Sequence, residues 1–293
     1  MSFGEVLTAM VTPFNEDLTI NYEKAIDLAN YLVDNGSDGL VVLGTTGEVP
    51  TLSGEEKIKL LEVIVESVGN KAQIIAGTGS YSTQASIDFT KKAEEIGVDG
   101  VMLVTPYYNK PPQEGLYKHF KMVAGETDLP VMLYNVPGRT SRNIEPETIA
   151  KLAEIDNIVA VKEASGNLDQ AIKIRSLTDD SFKIYSGDDS LTLPILSIGG
   201  EGVVSVASHL VGNELKAMIA DFKAGKIKEA AQQNARLNKL FSTMFISTNP
   251  IPVKVALNLV GKEVGGLRPP LVGLNDDLEK RLKSVLAEYN LLD

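Results

Sequence analysis

The chain has 293 residues, 43% of them hydrophobic, with neither cysteine nor tryptophan. Its 28 basic and 39 acidic residues give a formal charge of −11, which disfavours nucleic acid and anionic membranes as partners. The lack of cysteine excludes disulfides, zinc–thiolate sites, iron–sulfur clusters and thiol nucleophiles.

The first residues, MSFGEVLTAMVTPFNED, lack the cationic-then-apolar order of a secretory signal. No apolar run reaches the roughly 18 residues of a membrane span, so the expectation is a soluble, cytoplasmic protein. LTAMV (7–11) begins a series of short runs rich in valine, isoleucine and leucine that hardly alternate with polar residues. Such runs suit parallel strands covered on both faces. YEKAIDLANYLVDN (22–35) follows with apolar residues at helical spacing, and GLVVLG (39–44) is the next strand. TLSGEEKIKLLEVIVESV (51–68) carries a helix start, in which Ser53 caps and Glu56 completes a capping box. Further strands are predicted at QIIAG (73–77), GVMLVT (100–105), PVMLYN (130–135), IVAVKE (158–163), KIYSG (183–187) and GVVSVA (202–207).

Eight strands alternating with helices predict an α/β protein, a (β/α)8 TIM barrel. The competitor, an open doubly wound sheet, calls for a glycine-rich loop after the first strand, and MVTPFNED is not one. From KIKEAAQQNARLNKLFSTMF onward the pattern reads as helical to the end. The expected organisation is a catalytic barrel over 1–224 with a C-terminal helical extension over 225–293.

In such barrels chemistry gathers where the strands end. Those ends read GTTGE (44–48), GTGS (77–80), TPYYN (105–109), YNVPGRT (134–140), KEAS (162–165), SGDD (186–189) and VASH (206–209). Alternation places Lys162 on one face with Ala160 and Ile158. An ammonium buried there loses water, which disfavours its charged form, and the free amine is the nucleophile of Schiff-base enzymes. The other readings are a lysine that snorkels to the rim or one paired with a carboxylate such as Glu163. Thr45 and Thr46, flanked by glycines, can grip a carboxylate or simply form a hydroxyl-rich turn. Tyr107, Tyr108 and Tyr134 are phenols able to relay protons, or packing residues at a core edge or subunit contact. Arg139, in a glycine-bearing loop, could clamp a carboxylate or stay solvated. The acidic pair Asp188 and Asp189 lacks histidine company: His119 lies in an apparent helix and His209 after the last strand. No histidine-rich metal site is expected, and both histidines read as structural.

In order along the chain, LTAMVTPF, GTTGE, TPYYNKP, LYNVPGRT, VKEASG, SGDD and NPIPVK (249–254) resemble the dihydrodipicolinate synthase family. That family lies within the pyruvate-dependent class I aldolases that also include N-acetylneuraminate lyase. The resemblance implies an imine between Lys162 and pyruvate, with no cofactor. It implies a proton relay of Thr45, Tyr134 and Tyr108, the last reaching in from a neighbouring subunit of a homodimer or homotetramer. Thr46 would bind the pyruvate carboxylate and Arg139 that of L-aspartate 4-semialdehyde, while Gly187 and Val204 would line the pyruvate pocket. Valine at 204 departs mildly from the isoleucine common there. Sugar-acid lyases of this superfamily tend to lack the arginine, so Arg139 favours the synthase over a lyase for sialic or 2-keto-3-deoxy sugar acids. A third reading, a ketoacid sensor without turnover, has no need of the relay. At the positions where lysine-inhibited members carry polar and imidazole groups, this chain has Val49, Pro50, Gly54, Lys57, Tyr81 and Ala85, with only Tyr107 kept. Lysine feedback is therefore expected to be weak or absent.

Overall fold

The computed structural model describes residues 2–292. Eight parallel strands close into a barrel in sequence order: β1 (Val6–Ala9), β2 (Gly39–Val42), β3 (Gln73–Gly77), β4 (Gly100–Val104), β5 (Val131–Asn135), β6 (Ile158–Glu163), β7 (Lys183–Ser186) and β8 (Gly202–Ser205). β1 closes the ring by pairing with both β2 and β8. Each expected strand is present, most of them ending a residue or two early. The helix Tyr22–Asp34 follows β1. In the helix Gly54–Val68 the anticipated box forms, Ser53 accepting from the Glu56 N–H and Glu56 from the Ser53 N–H.

Two apolar layers result. Side chains pointing inward, among them Leu7, Ile75, Met132, Ala160, Tyr185 and Val204, fill the barrel. A larger layer lies between strands and helices. Tyr185, fully buried, closes the N-terminal end of the barrel: its hydroxyl accepts from the Phe3 N–H (3.2 Å) and donates to the Gly4 carbonyl (2.9 Å). One expectation on β6 fails. Ile158 lies in the outer layer, not on the inner face with Ala160 and Lys162. The register between β5 and β6 is irregular at Val131/Met132, which pairs Ile158 with Val131 but Ala160 with Met132. That irregularity breaks the period of two at the start of the strand and leaves its end intact.

After Gly225 come the helices Ile227–Thr243, Ile251–Leu259 and Asp276–Glu288. The extension is not helical throughout: residues 244–250 and 260–275 are irregular and run over the barrel mouth side. No helix among the described residues is long and apolar enough to cross a membrane.

Both histidines are buried in the neutral form. His209 accepts from the Val11 N–H at Nε2 (3.2 Å) and its Nδ1 faces the Val206 carbonyl (2.9 Å), and burial lowers it to about 4. His119, bonded at Nδ1 to the Thr83 hydroxyl (2.9 Å), is lowered by burial to about 4. An unfolded chain takes up these protons below about pH 6.5, the folded one only near 4, so their stabilising effect is complete above about 6.5 and lost as pH falls. Asp189, pushed up to about 6 by burial, acts in the opposite sense over part of that window. The urea midpoint of His119→Leu should therefore fall less between pH 6.5 and 4 than that of the parent, by up to about 3 kcal/mol in free energy. Parallel titrations of the two proteins with a matched loss would refute this.

Candidate active site

β5 and β6 end side by side, with Tyr134 paired to Lys162 and Asn135 to Glu163. Alternation turns Tyr134 and Lys162 into the barrel and Asn135 and Glu163 toward the helices. Lys162 is 6% exposed and Glu163 5%. The Lys162 ammonium lies 4.2 Å from the centroid of the Tyr134 ring and forms no ion pair among the described residues. Glu163 does not neutralise it. Its carboxylate accepts from Asn135 Nδ2 and Gln170 Nε2 (both 3.0 Å) and from the Ser165 N–H (2.7 Å). Of the readings open for Lys162, carboxylate pairing and snorkelling to water are thus both removed.

Above this pair, Thr45, Tyr107, Tyr134 and Arg139 line one cleft with Val49, Pro50, Met102 and Val136. Its cavity volume of about 210 Å³ leaves room for a small ligand only. Among the described residues, neither the Thr45 nor the Tyr134 hydroxyl is engaged in a hydrogen bond, so both are free for a ligand. Thr46, 3% exposed, accepts at Oγ1 from Asn249 Nδ2 (2.9 Å), and the Asn249 carbonyl accepts from Arg139 Nη2 (3.2 Å). Asn249, in the irregular stretch before the helix Ile251–Leu259, thereby ties together two residues expected to hold substrate carboxylates. Its role was not assigned from sequence. Its signal was the non-helical NPIP run inside a segment that otherwise reads as helix.

Val204, 1% exposed, belongs to the inner layer with Tyr134. Gly187, just past β7, donates its N–H to the Glu163 carbonyl (2.8 Å). Tyr108 stands apart, 91% exposed with φ +67°, while its neighbour Tyr107 packs edge-on against Tyr81 at 5.3 Å. The acidic pair serves the turn after β7: Asp188 accepts from the Ser190 N–H (3.0 Å), and Asp189 from the Ser205 hydroxyl and from the Val206 and Ala207 N–H groups. Among the described residues no three His, Cys, Asp or Glu side chains are placed to hold a metal ion.

A buried lysine without a counter-ion, beside a phenol at the mouth of a closed (β/α)8 barrel, defines a lyase of the class I aldolase type, in which an amine condenses with a carbonyl. Residues 2–289 match the sequence model of the Dihydrodipicolinate synthetase family, and the chain belongs to that family. It is 57% identical to the 4-hydroxy-tetrahydrodipicolinate synthase of Heliobacterium modesticaldum over 291 residues, 99% of this chain and 97% of the relative. The crystal structure of a dihydrodipicolinate synthase from Bacillus anthracis superposes with a TM-score of 0.96 at 51% identity, covering 98% of each chain. That of Cyanidioschyzon merolae, described with lysine bound, superposes at 0.97 with 48% identity over 99% of each.

At position 187 a Cβ would lie 2.5 Å from the Ala164 Cβ and 3.2 Å from the Glu163 carbonyl, against the residues that follow Lys162 in the chain. Gly187→Ala should therefore cost about 1–3 kcal/mol by overpacking, read as a drop in the thermal midpoint of roughly 2–8 °C. An unchanged midpoint would show that the β6 end yields freely.

Proposed function

We propose that the chain condenses pyruvate with L-aspartate 4-semialdehyde on Lys162, the reaction of 4-hydroxy-tetrahydrodipicolinate synthases in the diaminopimelate route to lysine, in the cytoplasm. The observation that carries this reading is the buried Lys162 amine, free of any carboxylate partner and stacked beside Tyr134. The amine attacks the pyruvate ketone carbon, and loss of water gives the imine. Tyr134 and Thr45 relay a proton from the pyruvate methyl group, leaving an enamine whose electron pair had been drawn toward the imine nitrogen. Because the protonated imine is the electron sink, the reaction calls for no cofactor. The enamine carbon then adds to the aldehyde carbon of the second substrate, and that substrate's own amine closes the ring and displaces Lys162.

Thr46 supports the pyruvate carboxylate, with Gly187 and Val204 shaping its pocket. Arg139, exposed at the rim, takes the carboxylate of the semialdehyde, which favours an anionic aldehyde over a sugar. In this reading Tyr108, outside its own cleft, completes the relay of a second copy in a homodimer or homotetramer, and residues 225–293 extend the barrel of residues 1–224. Reduction with borohydride in the presence of pyruvate should fix the pyruvate carbons to Lys162 by mass spectrometry. Lys162→Ala should lose the adduct and roughly a thousandfold or more of the rate, and Lys162→Arg should do no better because guanidinium stays charged. Adduct formation elsewhere on the chain would sink the assignment.

The positions expected to govern lysine inhibition are poorly suited to it. Val49 and Pro50 present apolar surface to the cleft beside Tyr107. Tyr81 is 52% exposed, and Gly54 and Ala85 bring no hydrogen-bonding side chain. Lys57 has its ammonium pulled below the ordinary lysine range by burial, and a second cation there repels the side chain of a lysine ligand. Activity should hold constant through millimolar L-lysine in a coupled assay; a clear inhibition curve contradicts this.

A further inference from the structure

Thr45 and Thr46 sit in a single turn of 3-10 helix, Thr45–Gly47, whose far side faces an ion pair sealed from water. Glu48 ends the turn in the left-handed region, φ +54°, where residues other than glycine are uncommon. Its N–H donates to the Thr45 carbonyl (3.1 Å). Its side chain is fully buried: Oε1 accepts from Lys254 Nζ (2.9 Å) and Oε2 from the Arg268 N–H (3.0 Å). Lys254, 1% exposed, also donates to the Thr12 carbonyl (2.9 Å) and stands 4.1 Å from the centroid of the Phe14 ring. Thr12 in turn donates from Oγ1 to the Gly47 carbonyl (2.7 Å). The turn is thus gripped by both carboxylate oxygens of its last residue and by a backbone carbonyl, and two of the groups that hold it come from the C-terminal extension.

A buried pair of this kind is weak evidence for stability, because apolar residues of like volume often serve that end as well. What charges add is direction. Donors converging on two carboxylate oxygens set the orientation of Glu48, and through its N–H the orientation of the turn. We propose that Glu48 and Lys254 are positioning residues for catalysis, through which the C-terminal extension holds Thr45 and Thr46 in working geometry beside the substrate on Lys162. Neither touches substrate. The proposal rests on the reaction assigned above, and it places the distinguishing effect on proton removal from the imine, not on imine formation.

The test compares the intact parent with Lys254→Met and Glu48→Gln, each held well below its own thermal midpoint. Borohydride trapping on Lys162 reads the imine, and exchange of the pyruvate methyl protons with deuterated water, followed by NMR, reads the relay without the second substrate. The expected result is trapping within about twofold of the parent while exchange and kcat fall about tenfold or more and KM for pyruvate rises. A purely structural role lowers the thermal midpoint but leaves exchange and kcat within about twofold, and that result overturns the proposal. Should a single variant fail to fold, Glu48→Gln/Lys254→Met, which buries no lone charge, takes its place under the same criteria. If that pair cannot be neutralised without unfolding, its role is structural and the proposal falls. A parent that traps no pyruvate refutes the reaction itself; a parent that traps it beside a variant with full exchange refutes only the positioning role.

Discussion

A parallel strand wrapped in a barrel and covered by helices has no solvated face, so a charge can enter it only near its end. β6 places two charges there in succession. The alternation of side chains sends Lys162 into the barrel and Glu163 out toward the helices, so neighbours in sequence that could have neutralised each other are held apart by the strand itself. Glu163 is then satisfied by an amide network through Asn135 and Gln170. Lys162 is left with the ring face of Tyr134, whose side chain also lines the cleft. The separation of this pair is what leaves the Lys162 nitrogen without a carboxylate partner among the described residues.

The two buried lysines of the mouth show how differently one side chain can be used. Lys254 is met by a carboxylate, a carbonyl and an aromatic face, and removing one partner of such a buried pair costs roughly 3–5 kcal/mol. Its charge is committed to fixed contacts beside the Thr45–Gly47 turn. Lys162 has no comparable partner among the described residues, only the Tyr134 ring at 4.2 Å. The protein thus holds one buried ammonium in an ion pair and the other against an aromatic ring alone.

Much of this was legible in the sequence because it is local. Strands buried on both faces leave uninterrupted valine, isoleucine and leucine runs, and all eight were placed. The capping box of Ser53 and Glu56 follows from spacing alone. Lys162, Tyr134 and Thr45 stand out because strand ends in this fold converge on one mouth. Other features depend on contacts that spacing cannot encode. The displacement of Ile158 to the outer layer follows from a register irregularity that its own run of apolar residues conceals. Glu48 and Lys254 are separated by 206 positions, and each alone reads as an ordinary surface charge. Asn249 shows no role in its own NPIPVK segment, since its partners Thr46 and Arg139 lie in two distant turns of the chain.

The grip of the extension on the mouth also bears on when the protein becomes complete during its synthesis. Every barrel strand precedes residue 206, yet the groups that tie down the Thr45–Gly47 turn and Glu48 arrive with the side chains of Asn249 and Lys254 and the backbone N–H of Arg268. A nascent chain that has emerged only through its last strand holds a nearly closed barrel with an unsecured rim. The ribosome therefore delivers the barrel first, and the contacts that fasten the Thr45–Gly47 turn only after the last strand has been made.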